Sequence, residues 1–169
     1  MRKTERFPVK GANSLWHVYG TGRVWKVIKS FSFIQAARYS PFLSWKNFFY
    51  RTFLRMEVGK ETSFALMVMV DVMFPERIKV GNNTIIGYNT TILAHEYLID
   101  EYRIGDVIIG DRVLIGANST ILPGVTIGND AIISAATLVN ADVPEGCFVG
   151  GNPMRIIYTK EEMLERNAK

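Results

Sequence analysis

The sequence predicts an all-β chain wound as a parallel β-helix of hexapeptide repeats, with helical segments at its two ends. Three observations carry that prediction. An aliphatic residue returns at every sixth position from Ile109 through Ile115, Ile121, Ile127 and Ile133 to Val139. Ile, Leu and Val make up about a quarter of the chain, so six successes at a preset spacing arise by chance roughly once in 4000 starting points. A second register of small or β-branched residues, Val113, Ser119, Val125, Ala131, Thr137 and Val143, runs two positions ahead. Residues two apart on a strand share a face, so each hexad offers one large and one small inward side chain. Corner-forming residues follow, as in Pro123-Gly124 and Asn129-Asp130. A helix of period 3.6 scatters these positions around its circumference, whereas a short strand and a bend stack them in layers.

Residues 1–57 are expected to form a basic, aromatic N-terminal cap segment. The first 60 residues hold 12 Lys and Arg against Glu5 and Glu57, a balance of +10, while the rest hold 8 against 14, a balance of −6. Two helices are predicted at about 23–37 and 44–55, divided at Ser40-Pro41, because a residue before proline is pushed out of the helical region. The aromatics of this segment, among them Trp16, Trp25, Phe31, Trp45, Phe48 and Phe53, have three readings. They cover the open first coil, whose unpaired backbone groups and apolar layers need a cap, or pack on a neighbouring subunit, or with the basic residues between them they touch a membrane surface. Nucleic acid is not an expected partner.

The β-helix is expected over 58–157. A weaker beat runs through Val58-Gly59, Phe64 and Val70, and through Val80-Gly81, Ile86-Gly87 and Ile92, with Asp71 to Lys79 out of phase between the two tracts. Seventeen residues separate Ile92 from Ile109, which is not a multiple of six, so the excess at about 93–107 must leave as a loop. That loop holds His95, one of two histidines, together with Glu96, Asp100 and Glu101. Loops on rigid scaffolds commonly carry function. Residues 158–169 are predicted as a short helix, opened by the capping box Thr159 to Glu162 and packed through Met163 and Leu164.

At 169 residues the chain is expected to be one domain. No apolar run reaches the roughly 18 residues of a membrane span, and the N-terminus lacks a signal-peptide stretch. The single cysteine, Cys147, leaves no internal disulfide to form. A cytoplasmic location is the expectation.

From Val107 to Ile157 the chain reads Ile-Ile-Gly-Asp-Arg-Val-Leu-Ile-Gly-Ala-Asn-Ser-Thr-Ile-Leu-Pro-Gly-Val-Thr-Ile-Gly from Ile108, and goes on to Asp142-Val-Pro and Gly150-Gly-Asn-Pro-Met-Arg-Ile. Here, and more loosely back to Val58, it resembles the hexapeptide-repeat acyltransferases, closest to the maltose- and galactoside-type sugar O-acetyltransferases. The resemblance implies a left-handed coil with three flat faces, about five coils at the roughly 4.8 Å of ordinary strand separation, and a homotrimer with active sites between subunits. It implies acetyl-CoA as co-substrate, a saccharide hydroxyl as acceptor, direct transfer and no metal.

In that family a histidine near the end of an interrupted coil is the general base, and His95 in Ile92-Leu93-Ala94-His95 occupies the matching place. A sugar hydroxyl is a poor nucleophile until its proton is removed, and an imidazole titrating near neutrality can take that proton as the oxygen attacks a thioester. Ala117 and Ala135 fall where the family sets small residues against the pantetheine arm, and Arg155 matches a basic residue near the nucleotide end, where an arginine fork suits a phosphate. Many relatives carry a lysine ahead of the Asp-Val-Pro, where this chain has Ala141, so that one CoA phosphate contact is either missing or supplied by Lys160. Asp71, an isolated carboxylate in the apolar run Phe64 to Phe74, needs a partner. It is read as hydrogen-bonding the acceptor or as a corner residue satisfied by backbone amides. Glu96 and Glu101 either orient the imidazole or are solvated loop charge. His17 matches nothing in the family and is read as structural, and Cys147 has no neighbour in sequence to activate it. The same base and groove would serve the amine of an amino sugar, and a non-catalytic scaffold is a third reading, although a scaffold has no use for a frame break carrying a histidine. The zinc carbonic anhydrases of this fold need three histidines per metal, and the chain has two.

Overall fold

The computed structural model describes residues 2–21 and 24–168. The chain opens with strand β1 (Glu5–Pro8), a 3-10 turn at Ser14–His17 continued by Val18–Thr21, and two helices, α1 (Val24–Tyr39) and α2 (Leu43–Thr52). The first coil is β2 (Glu57–Val58), β3 (Ser63–Phe64) and β4 (Met69–Val70), and the second is β5 (Ile78–Val80), β6 (Ile85–Ile86) and β7 (Thr91–Ile92). Strands β8 (His95–Tyr97) and β9 (Glu101–Ile104) leave the coil. The third coil is β10 (Val107–Ile109), β11 (Leu114–Ile115) and β12 (Thr120–Ile121), and the fourth is β13 (Thr126–Ile127), β14 (Ile132–Ile133) and β15 (Leu138–Val139). A fifth coil is partial: Val143 bridges to Ile127, β16 (Phe148–Gly150) extends one face, and β17 (Arg155–Tyr158) folds back antiparallel on it. Helix α3 (Lys160–Asn167) ends the chain.

The coil strands form three parallel sheets, β2-β5-β10-β13, β3-β6-β11-β14-β16 and β4-β7-β12-β15, so each hexad supplies one face of a triangular prism. Register confirms the beat, with Ile109 opposite Ile127, Ile115 opposite Ile133 and Ile121 opposite Val139. Both inward registers are buried throughout, from Ile109 to Val139 and from Val113 to Val143. The polar members of the small register are bonded: Ser119 Oγ donates to Gly116 O at 2.8 Å, Thr137 Oγ1 to Ser134 O at 2.7 Å and Thr84 Oγ1 to Gly110 O at 2.9 Å. A hydroxyl there fills the volume of a methyl and satisfies a corner carbonyl.

Two of the three corners turn through a residue in the left-handed region, three positions after the inward aliphatic. These are Glu61, Met67, Asn83, Asn89, Arg112, Asn118, Asp130 and Ala136, with φ between 51 and 65°. Asn and Asp accept that conformation more readily than most residues, which accounts for half of the set. Backbones pass closely at these corners, and a Cβ added to Gly87 would lie 2.6 Å from Ile115 O.

Helices α1 and α2 lie against the first coil. Ile34, Ala37, Tyr50 and Leu54 share one buried cluster with Phe64, Val68 and Val70. The first coil has no strand beneath it to receive its carbonyls, and α2 supplies donors instead. Lys46 Nζ reaches Phe64 O at 3.0 Å and Ala65 O at 2.7 Å, Asn47 Nδ2 reaches Thr62 O at 2.7 Å, and Arg51 reaches Val58 O at 2.9 Å and Gly59 O at 2.6 Å. Burial lowers the pKa of the Lys46 ammonium, which is 1% exposed. Of the aromatics, Tyr50 is buried and Phe33 stacks on Phe53, whereas Trp25 and Trp45 are 81% and 59% exposed. No helix among the described residues is long and apolar enough to cross a membrane.

At the other end the capping box forms, with Glu162 N donating to Thr159 Oγ1 and Thr159 N to Glu162 Oε2. The expected packing through Leu164 does not form. That side chain is exposed and only Met163 is half-buried, because the helix is a single amphipathic turn pair beside β17 with no second layer to cover it. Replacing Lys46 by alanine strands two carbonyls of the first coil, and stability should fall by about 2–4 kcal/mol in urea unfolding. Lys60→Ala, at an exposed position, should stay within about 0.5 kcal/mol.

Candidate active site

The third corner is where the frame breaks. In the third coil it is turned by Gly124, at φ +79°, three positions after Ile121. The equivalent positions in the first two coils are Met73, after Val70, and His95, after Ile92, and neither is left-handed. Register partners Val58–Val80, Val80–Ile109 and Ile109–Ile127 stand 22, 29 and 18 residues apart, so the first two coils carry the excess. In the first coil it forms a bend and the 3-10 turn Pro75–Arg77. In the second it is a β-hairpin, where an irregular loop was expected: β8 pairs antiparallel with β9, and β1 adds a third strand with Phe7 opposite Tyr102. Val9 N donates to Asp100 O and Ser14 N to Ile99 O, which ties the hairpin tip to the N-terminal segment.

Both excursions leave the same prism edge, one coil above the other, and this brings Asp71 to His95. Asp71 Oδ1 accepts from Met73 N and Phe74 N, each at 2.8 Å. Its Oδ2 accepts from Ala94 N at 2.7 Å and His95 N at 3.0 Å, and lies 2.6 Å from His95 Nδ1. Five donors therefore converge on a carboxylate whose side chain is 0% exposed. Burial pushes the Asp71 carboxyl up, but the hydrogen bond and charge of His95 and the amides of Phe74 and Ala94 outweigh it and hold the group below the usual carboxylate range. An ionised carboxylate only accepts, so Nδ1 carries the proton and Nε2 of the neutral ring carries the lone pair. The imidazole is 16% exposed, between the edges of Phe74 at 5.8 Å and Tyr97 at 5.3 Å between ring centroids.

The two readings of Asp71 thus separate. The backbone amides are present, and no oxygen faces outward toward an acceptor. The loop carboxylates are engaged elsewhere: Glu96 pairs with Arg2 and Arg103, and Glu101 pairs with Arg6 and Arg103, which holds its carboxyl below the ordinary range. The residue pattern carries a signal for the proximity of Asp71 to His95. With Val70 aligned on Ile92, both frame breaks start at the same point of the coil, and Asp71 and His95 fall within two positions of each other.

The other sequence candidates lie elsewhere in the chain. Ala117 and Ala135 stack at the preceding corner, where Ala136 N donates to Ala117 O. One whole face separates that corner from His95. Arg155 is exposed at the start of β17. Lys160, expected to be free for a phosphate, donates instead to Glu145 at 2.6 Å, and that pairing raises its pKa. His17 is exposed and lines a cleft of about 630 Å³ with Trp16 and Tyr102. Cys147 is buried. Among the described residues no group of three His, Cys, Asp or Glu is placed to hold a metal ion.

Residues 106–141 match the family model described as the hexapeptide repeat of succinyl-transferase. A Bacillus subtilis (strain 168) protein named as an acetyltransferase is 73% identical over 169 residues, covering 100% of this chain and 98% of its own. Among solved structures, a hexapeptide-repeat acetyltransferase of Vibrio cholerae complexed with acetyl coenzyme A superposes with a TM-score of 0.69 at 21% identity, over 83% of this chain and 91% of that one. A galactoside acetyltransferase in complex with coenzyme A gives a TM-score of 0.64 at 20% identity, over 85% and 84%. The fold shared with these structures is the left-handed parallel β-helix.

Asp71→Asn should cost about 3 kcal/mol of stability at neutral pH, since an amide nitrogen would face donors in a dry site. The folded carboxyl titrates below the roughly 3.9 of an unfolded Asp. Its stabilisation is therefore complete above that value and lost as pH falls from there through the folded one. The stability gap between wild type and variant should narrow below about pH 4 in urea unfolding. A gap that stays constant into stronger acid would contradict an ionised native Asp71.

Proposed function

This chain belongs to the hexapeptide-repeat acetyltransferases, and on that premise we propose that it moves an acetyl group from acetyl-CoA directly to a hydroxyl of a saccharide or glycan precursor, with His95 as general base. The observation that carries the reading is the Asp71–His95 pair. Asp71 is a positioning residue: it fixes the ring and the tautomer, so that Nε2 is the basic atom. That nitrogen takes the proton of the acceptor hydroxyl as its oxygen bonds to the thioester carbonyl carbon. Collapse of the tetrahedral adduct breaks the C–S bond, and the imidazolium returns its proton to the departing thiolate. The galactoside specificity named for one structural neighbour supports a sugar acceptor over other alcohols.

Ala117, Ala135 and Arg155 are proposed to receive the cofactor, the two alanines along the pantetheine arm and the guanidinium at a phosphate. Two small side chains at successive coils leave room for a chain that must lie close to the backbone. Since their edge and His95 are a face apart within one chain, the complete site takes the histidine of one subunit and the alanine edge of its neighbour, in a homotrimer. An outward apolar column supports self-association: Ile85 and Leu114, 51% and 42% exposed, are register partners, and Leu114 also pairs with Ile132. Helices α1 and α2 act as the cap of the open first coil.

His95→Ala should lower kcat for thiol release from acetyl-CoA by about 10²- to 10⁴-fold with little change in the KM for acetyl-CoA. Retention of turnover within about threefold would remove His95 from the role of base. Ile85→Glu with Leu114→Glu should shift sedimentation from trimer to monomer and abolish turnover together, whereas an active monomer would rule out a shared site.

A further inference from the structure

A second cleft, of about 520 Å³, opens on the first-coil side of His95 between α1, the end of α2 and the turn after Asp71. Met73 and Phe74 form its inner wall, and these residues border the histidine: Phe74 packs edge-on to the imidazole, and Tyr97 Oη donates to Met73 Sδ at 3.4 Å. Its rim is cationic, with Lys26, Lys29 and Arg55 against the single carboxylate of Glu76. Lys26 Nζ is engaged, 2.6 Å from Glu76 Oε1 and 5.2 Å from the centre of the Phe74 ring. Lys29 and Arg55 pair with no carboxylate among the described residues. Arg55 sits on a fixed turn, not a free loop. It takes the left-handed position after α2, at φ +58°, and Met56 N closes the turn on Tyr50 O. Glycine is the low-strain residue there, so an arginine stands where the backbone alone does not favour it.

Along the prism axis this cleft lies toward the first coil, whereas Ala117, Ala135 and Arg155 lie on the third coil and beyond. With the cofactor at those three residues, as proposed above, this cleft is left for the other reactant. We propose that the cleft binds the phosphate or diphosphate group of an anionic acceptor, a saccharide phosphate, and so sets one of its sugar hydroxyls beside His95. The proposal rests on the acetyltransferase reading above and narrows its acceptor class. Two unpaired cations beside an apolar wall suit a phosphate joined to a sugar ring, the guanidinium binding oxygens as a fork and the ammonium as a point charge.

The test uses the full chain, with Lys29→Gln combined with Arg55→Gly, the latter chosen because glycine fits the left-handed turn; Lys29→Gln alone is the second variant. Calorimetry with pyrophosphate should show binding that weakens about tenfold or more in the double variant and in part in the single one, the size of a lost charge-assisted hydrogen bond. In thiol release, glucose 1-phosphate should exceed glucose in kcat/KM by about tenfold or more, and the double variant should lose that preference. Unchanged pyrophosphate binding in the double variant overturns the proposal. So does an equal rise in the KM for acetyl-CoA, which would place the cofactor's own phosphates in the cleft. Loss of binding to phosphatidylglycerol vesicles without any effect on pyrophosphate overturns it as well, in favour of a lipid headgroup contact. Glucose acetylated as well as its phosphate defeats this proposal and leaves the acetyltransferase reading standing. A pyrophosphate effect with no thiol release to any hydroxyl acceptor leaves the phosphate site standing and defeats the O-acetyl reading.

Discussion

Each coil of the prism lies about 4.8 Å above the last, held by a ladder of parallel backbone hydrogen bonds, and this spacing admits no extra residue inside. Inward positions are filled by hexads in strict order, so any surplus must leave at a corner. Two corners are closed by left-handed turns in every complete coil, which leaves the third as the outlet. Both surplus segments emerge there. Asp71 and His95 meet because they start consecutive excursions from one edge, and the carboxylate then bonds both excursions at their roots.

That carboxylate shows how the site is held rigid. Four of its five donors are backbone amides, two from each excursion. The imidazole is the fifth, so its orientation is set by main chain that the coil ladder immobilises. An imidazole so held would serve as the proposed general base with little reorganisation. The hairpin and β1 cover the outer side, and ion pairs of Glu96 and Glu101 with Arg2, Arg6 of β1 and Arg103 of β9 satisfy the loop charge locally.

The positive N-terminal segment answers the open end of the same ladder. Carbonyls of the first coil have no strand below, and Lys46, Asn47 and Arg51 of α2 take the place of one. Part of the basic excess of the first 60 residues is therefore structural. Lys29 and Arg55 remain beside the wall of the histidine site, where the proposed phosphate contact would give the excess a second use.

Legible in the residue order alone are the parallel coil, its inward residues, the two helices to within about three residues at most ends, the frame break and the histidine it carries. All of these follow from local signals: a period of six and the remainder after division for the coil and its break, and the Ser40-Pro41 boundary for the helices. The hairpin form of the excursion and its third strand were not legible, because β1 joins β9 across about 95 residues and neither carries a repeat. For Asp71 the alignment of hexads gives nearness to His95 but not the bond itself, which spans 24 positions. The stacking of coils brings those two excursions to one edge, and no local pattern encodes a contact that exists only once the coils are stacked.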